Sequence, residues 1–314
     1  VRIIASAGSE EIARVYLADL GEGRLVEFVE SVQPPVPREE KWVLMVSTLL
    51  GCPVGCPMCD AGGWYRGRLS AGDVLAQIDH LVRSRYADGR VPAGKFKIQF
   101  ARLGEPALNP AVLEVLRELP NRYEAPGLMP SVSTVAPRGT EGFFSELAAI
   151  KDELYSDGRF QLQFSIHTTD EALRDGLIPV KKWGFADIAR YAGSFLREND
   201  RRITLNFALG RGTPVEPGVM LAHFDPDLFV LKFTPLNPTY RAHRHGLHSY
   251  IEPNEPGRRY GILDRLGEAG YRVLLSIGER EEDRIGSNCG QLLQRHLAAE
   301  KKMSEGYTYP LQKG

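Results

Sequence analysis

The sequence predicts an α/β protein: a (β/α)6 partial barrel with an N-terminal β-hairpin extension and a C-terminal helical tail. Three observations lead there. Strand-like and helical runs alternate from Trp42 onward, which is the pattern of a parallel sheet with right-handed crossovers. Two strand-like runs around a glycine turn precede that alternation. A loop with three cysteines follows its first strand. The 314 residues and 43% hydrophobic content suit one α/β barrel with a sizeable core.

In chain order, Ala13–Leu20 and Arg24–Val32 flank Gly21-Glu22-Gly23 and read as a hairpin. The proline-rich stretch Gln33–Arg38 is a linker, so residues 1–40 are assigned to the extension and 41–314 to the barrel with its carboxyl-terminal segment. Strands are expected at Trp42–Leu49, Phe96–Arg102, Met129–Val135, Phe160–His167, Ile203–Leu209 and Phe229–Leu236. Helices are expected near Ala71–Ser84, Ala111–Leu119, Gly142–Ile150, Phe185–Glu198 and Gly218–Phe224. A last helix near Tyr260–Ala269, an extra strand at Tyr271–Ile277 and a helical tail from about Gly290 complete the chain. In such barrels reactive groups gather at the carboxyl ends of the strands.

Cys52, Cys56 and Cys59 form C-x3-C-x2-C, and Cys289 is the one other cysteine. Soft thiolates on a short loop suit an iron–sulfur core. Three ligands on a four-iron cluster leave one iron free to bind a small molecule and pass it an electron. Structural zinc prefers four ligands in paired spacings, and no second C-x2-C exists here. Four cysteines in a chain of this length make no disulfide framework. Reduced thiols, no signal pattern and no long apolar run point to a cytoplasmic protein without a membrane partner. The net charge of −1 gives no global pull toward nucleic acid, although a local basic patch at Arg241–His248 stands out.

Gly104-Glu105-Pro106 follows the second strand, where glycine lets backbone approach a ligand and a carboxylate can accept from an ammonium. Ser133 and Thr134 end the third strand, Ser165 and His167 the fourth, and Asn237 follows the sixth. Each alone reads as a satisfied polar group. Together they form a rim of hydrogen-bonding groups suited to a cofactor.

C-x3-C-x2-C after a first strand is the signature of radical S-adenosylmethionine (SAM) enzymes, although that loop often carries an aromatic residue where this chain has Met58. More specifically, the chain resembles the RlmN/Cfr-type radical SAM methyltransferases, which methylate an rRNA adenine. The ordered motifs are the cysteine triad, Gly104–Asn109, Ser131–Thr134, Ser165-Ile166-His167, Ile178-Pro179-Val180, Asn237-Pro238 and Cys289-Gly290-Gln291-Leu292. The resemblance implies a 4Fe-4S cluster on Cys52, Cys56 and Cys59. It implies SAM on Gly104, Glu105, Ser133, Ser165, His167 and Asn237, and an electron donor such as flavodoxin or ferredoxin. It also implies that Cys289 is first methylated, and that its S-methyl group, after hydrogen abstraction by a 5′-deoxyadenosyl radical, adds to an sp2 carbon. Cys289 as a small buried hydrophobe is the alternative. Glu27 matches a hairpin glutamate that moves protons in the family, with Glu30 as the competing candidate.

Three departures bear on the acceptor. Met45 stands seven residues before Cys52, where the family has a second catalytic cysteine, and a thioether is no thiol nucleophile. The family's N-terminal helical domain has no counterpart before the hairpin. The charge lacks the basic balance of RNA modifiers. An RNA acceptor and a small-molecule acceptor, such as a nucleotide or natural-product intermediate, both stand. So does a use of Cys289 as a hydrogen donor. A non-enzymatic iron–sulfur or RNA-binding protein would have no use for a complete SAM rim.

Overall fold

Strands and helices alternate as the sequence patterns require. The computed structural model describes residues 1–255, 257–303 and 306–314. Its strands are β1 (Arg2–Gly8), β2 (Ala13–Asp19), β3 (Leu25–Ser31), β4 (Lys41–Val46), β5 (Leu49–Gly51), β6 (Tyr65–Arg68), β7 (Lys95–Phe100), β8 (Leu128–Thr134), β9 (Gln161–Ser165), β10 (Ile203–Leu209), β11 (Phe229–Pro235), β12 (Arg272–Leu275) and β13 (Leu311–Lys313). The longer helices are α1 (Ala71–Arg85), α2 (Ala111–Arg122) and α3 (Glu141–Leu154), followed by α4 (Glu171–Leu177), α5 (Phe185–Phe195), α6 (Pro217–His223), α7 (Tyr240–Arg244), α8 (Gly261–Glu268), α9 (Arg280–Ile285) and α10 (Leu293–Leu297).

Eleven strands make one sheet in the order β12-β11-β10-β9-β8-β7-β4-β3-β2-β1-β13, while β5 and β6 pair separately. From β4 to β12 every neighbouring pair is parallel, and from β4 through β3, β2 and β1 to β13 every pair is antiparallel. The hairpin is thus present as read, but it continues the barrel strands: Val29 pairs with Met45.

Alternation along the strands separates two faces. Trp42, Phe96, Ile98, Phe144 and Phe164 belong to the core between sheet and helices. Trp42 stacks on Phe96 at 5.2 Å. Burying each such side chain contributes about 1.5–3 kcal/mol. Helix α1 starts where Ser70 accepts from the Asp73 N–H and Asp73 accepts from the Ser70 N–H, each at 3.1 Å, a reciprocal cap. The opposite face carries Lys97, Gln99, Ser131, Ser133, Gln163, Asn206 and Lys232. Met45 of β4 and Ser276 beyond β12 line one cavity, so the sheet curls around this polar face.

The expected helical tail is corrected. Among the described residues only Leu293–Leu297 is helical after Gly290, and the last strand is β13, paired with β1. Tertiary contacts override the helical propensity there. The Tyr307 ring stacks on His296 at 4.9 Å, and its hydroxyl donates to Asp60 at 2.8 Å, which draws the chain back over the cysteine loop.

A second apolar cluster joins Val15, Leu17 and Val29 of the antiparallel strands to Ile285 and Leu293. Those last two residues bracket Cys289. The amino-terminal strands therefore form the platform on which the Cys289 segment rests.

Candidate active site

A cavity of about 360 Å³ opens at the carboxyl ends of the parallel strands. Cys52, Cys56, Cys59, Glu105, His167 and Cys289 all line it. The cysteine loop is clamped by its backbone. Cys52 N–H donates to Trp64 at 3.0 Å, and Cys59 N–H to Cys56 at 3.2 Å. Arg241 donates from Nε to the Cys56 carbonyl at 3.0 Å and from a terminal nitrogen to that of Gly55 at 2.8 Å. Burial pushes the Cys52 thiol up to about 11 and Cys56 to about 12, and it raises Cys59 well above the usual thiol range. Three half-buried thiols with so little opposing cationic charge fit a metal core that would bind them as thiolates. Among the described residues no group of three His, Cys, Asp or Glu side chains closes into a metal-ion site.

Glu105 is 4% exposed. It accepts from the Ala107 N–H at 3.0 Å, the Val135 N–H at 2.9 Å and the Thr134 hydroxyl. Burial still pushes its pKa up to about 7, so the site favours a cationic partner for this carboxylate. Gly104 has φ +106°, and a Cβ there would lie 2.6 Å from the Leu49 side chain, so only glycine fits. Asn109 donates to the Thr48 and Leu69 carbonyls at 2.7 and 2.8 Å and locks the turn from behind.

His167 sits at φ +67°, a conformation that side chains rarely adopt. Its Nδ1 accepts from the Ala208 N–H at 3.1 Å, which leaves the proton on Nε2. Burial lowers its pKa to about 4, so it is a neutral hydrogen-bond donor at neutral pH. Ser165 and Ser133 line the same cavity. Ser133 Oγ accepts from Gln99 at 3.3 Å and Gln163 at 3.0 Å.

Cys289 is exposed to the cavity, which excludes the role of a small buried hydrophobe. Enclosure raises its thiol pKa, with Lys232 and Arg102 pulling the other way. The Cys289 carbonyl accepts from Asn237 Nδ2 at 2.9 Å, and the Gly290 carbonyl accepts from the Asp60 N–H at 2.8 Å.

No family model matches the chain. The probable dual-specificity RNA methyltransferase RlmN of Desulfitobacterium hafniense (strain DSM 10664 / DCB-2) is 28% identical over 302 residues, covering 94% of this chain and 79% of that protein. The protein of the same name from Parafrankia sp. (strain EAN1pec) is 28% identical over 279 residues, covering 84% and 68%. The crystal structure of a radical SAM methyltransferase from Sphaerobacter thermophilus superposes with a TM-score of 0.71 at 21% identity, covering 93% of this chain and 82% of that one, a likeness of fold. The chain is similar to the RlmN-type radical SAM methyltransferases.

Glu27 is fully buried and does not line the cavity. Its carboxylate accepts from Arg102 at 2.8 Å, from the Leu293 N–H at 3.1 Å and from the Gln294 N–H at 2.6 Å. It ties β3 to α10. Glu30, the competing candidate, is held by Arg85 at 2.6 Å and Tyr16 at 2.8 Å. Asn237 lines the cavity, but its amide nitrogen is committed to the Cys289 carbonyl. Arg241 is likewise spent on the cysteine loop, which removes it from the basic patch.

Sequence reasoning missed three residues that build the site. Arg102 donates to the carbonyls of Gly286 (2.8 Å), Ser287 (3.2 Å) and Asn288 (3.1 Å), so it shapes the turn carrying Cys289. Asp60 accepts from the Tyr240 and Arg241 N–H groups and from Tyr307, joining the cysteine loop to α7 and the terminal segment. Lys232 lines the cavity from β11. Arg102 and Lys232 had a signal, a cation just past the end of β7 and a lone cation in the middle of the otherwise apolar β11. Asp60 had none beyond adjacency to Cys59.

Proposed function

We propose that the chain is a radical SAM methyltransferase in which Cys289 carries the methyl group to an sp2 carbon of the acceptor. The observation that carries this reading is the meeting of Cys289, the three loop cysteines and Glu105 in one cavity. Cys52, Cys56 and Cys59 would hold a 4Fe-4S cluster, which supplies the electron that cleaves SAM. Glu105 would accept from the SAM ammonium. His167, Ser165 and Ser133 would meet its polar edges, with His167 donating from Nε2. Cys289, fixed by Arg102, Asn237 and the Asp60–Gly290 bond, would hold its S-methyl group against the cysteine loop. An electron donor such as flavodoxin or ferredoxin would be required.

The names of the relatives support an RNA acceptor, and an adenine carbon is the form the resemblance implies. A small acceptor is the second reading, favoured by Met45. This side chain lines the cavity where a resolving thiol would act, and among the described residues the cysteines are the three loop residues and Cys289. No disulfide with Cys289 can form there. Cys52→Ala/Cys56→Ala/Cys59→Ala protein should make no 5′-deoxyadenosine from SAM. Cys289→Ala protein should keep its iron yet transfer no methyl group. Methylated product from the latter would refute the reading.

A further inference from the structure

The cysteine loop has a second face. Its three cysteines line the cavity, whereas Trp64, Tyr65, Arg66 and Arg68, which follow the loop, do not. They run into β6, which pairs with β5 as a two-stranded sheet outside the main one. The Trp64 carbonyl accepts from the Cys52 N–H at 3.0 Å, and a Cβ at Gly51 would stand 2.8 Å from the Trp64 ring. Trp64, Cys52 and Cys59 pack on one small apolar cluster of Ala61, Leu103 and Leu292. Outside it stand Tyr65, 45% exposed, and the exposed Arg66 and Arg68. Arg241 brings α7 to the same strip: its guanidinium would lie 2.9 Å from a Cβ at Gly63 and 3.3 Å from one at Gly62. Arg244, exposed, lies about one turn further along α7. Residues 61–72 and 239–251 contain no carboxylate, and Asp60 is fully buried.

We propose that Tyr65, Arg66, Arg68 and Arg244 form the docking surface for an acidic one-electron carrier protein, with Trp64 between the carrier and the cysteines. A protein cannot enter a cavity of about 360 Å³, and SAM and the acceptor occupy it when the electron is needed. The carrier must therefore reach the cluster through the outer face of the loop. An exposed aromatic ring among arginines with no neighbouring carboxylate suits such a partner. The ring gives apolar contact, and the positive charge steers an acidic surface into place. Weak electron-transfer encounters need only a small patch. An acceptor confined to the cavity touches none of these residues, which favours the carrier over an acceptor as their partner. One electron leaves the carrier, which is oxidised by one unit, and enters the cluster, which is reduced by one; no proton or group is transferred. The proposal rests on the cluster reading above.

The test is calorimetric titration of the cluster-loaded full chain with a bacterial flavodoxin and with a 4Fe-4S ferredoxin, at low and high salt. At least one carrier should bind saturably at low salt and more weakly at high salt. Arg66→Glu/Arg68→Glu and Arg244→Glu should each weaken that binding tenfold or more, with iron content unchanged. Arg272→Glu, exposed on the edge strand β12, should leave it unchanged. Carrier-driven 5′-deoxyadenosine formation should slow with the lost affinity, while formation driven by dithionite, which needs no docking, should keep the natural rate. Saturable binding by neither carrier, or unchanged affinity in both charge-reversal variants, would overturn the docking surface. Weakened binding of a short RNA with carrier affinity intact would also overturn it and assign the patch to RNA. Absence of 5′-deoxyadenosine from the natural protein with dithionite would count against the cluster reading itself, so the two failures are separate results.

Discussion

The backbone N–H of Asp60 donates to the carbonyl of Gly290 across 2.8 Å. The residue after the third loop cysteine is thus bonded to the residue after Cys289. Gly290 lies so close that a Cβ there would stand 3.3 Å from the Met58 carbonyl oxygen. A segment remote in sequence is fastened directly to the cysteine loop, and the amino-terminal strands hold it from the other side through Glu27 and Arg102.

Glu27→Gln should destabilise the fold and loosen the Cys289 turn together. The Glu27–Arg102 pair is buried on both sides, and removing one charge leaves the other uncompensated, at a cost of about 3–5 kcal/mol. Denaturant melts should show the loss, and a thiol reagent should label Cys289 faster. Unchanged stability would mean that Arg102 finds another counter-charge.

Glu105→Gln keeps the shape of the turn and removes its charge. SAM affinity should fall by about 1.5–3 kcal/mol, the worth of a charge-assisted contact, with iron content unchanged. Equal affinity in calorimetry would show that the SAM ammonium lies elsewhere.

Lys97→Met should stabilise the protein near neutral pH. Burial lowers the Lys97 pKa from 10.5 to about 7. Between those values the unfolded chain holds a proton that the folded chain has released, so stability rises with pH across that window. Below about pH 7 the full penalty of the enclosed charge applies. The methionine variant should therefore melt higher at pH 6–7, by about 1–3 kcal/mol, and lose the advantage toward pH 10. A constant difference at all pH values would contradict the assigned cause.

Met45→Cys should place a thiol in the cavity that Cys289 also lines. If release of an adduct on Cys289 is slow, the added thiol should speed it by disulfide formation. If a small acceptor leaves without a disulfide, turnover should be unchanged or lower. Single-turnover kinetics with mass detection of trapped enzyme separate the two.

The parallel strands were legible because β-strand and helix periodicities alternate cleanly from Trp42, and the cysteine loop was legible because its spacing is local. The rim at Glu105, Ser133, Ser165 and His167 followed from strand ends. The partners of Glu27 were not legible, because hairpin alignment places a residue but not its contacts, and Arg102 and the α10 N–H groups are far along the chain. The tail was misread as helical because Tyr307, His296 and Asp60 meet only in the folded state. Strand β1 went unread because its run of small residues lacks alternation, and its pairing with β13 joins the two ends of the chain.

The most direct test of Cys289 as methyl carrier is peptide mass analysis of protein produced in SAM-replete cells. The account predicts one added methyl group on the peptide containing Cys289, absent from Cys52→Ala/Cys56→Ala/Cys59→Ala protein if the cluster is needed to load it. Unmodified Cys289 in protein that nonetheless methylates its acceptor would contradict it.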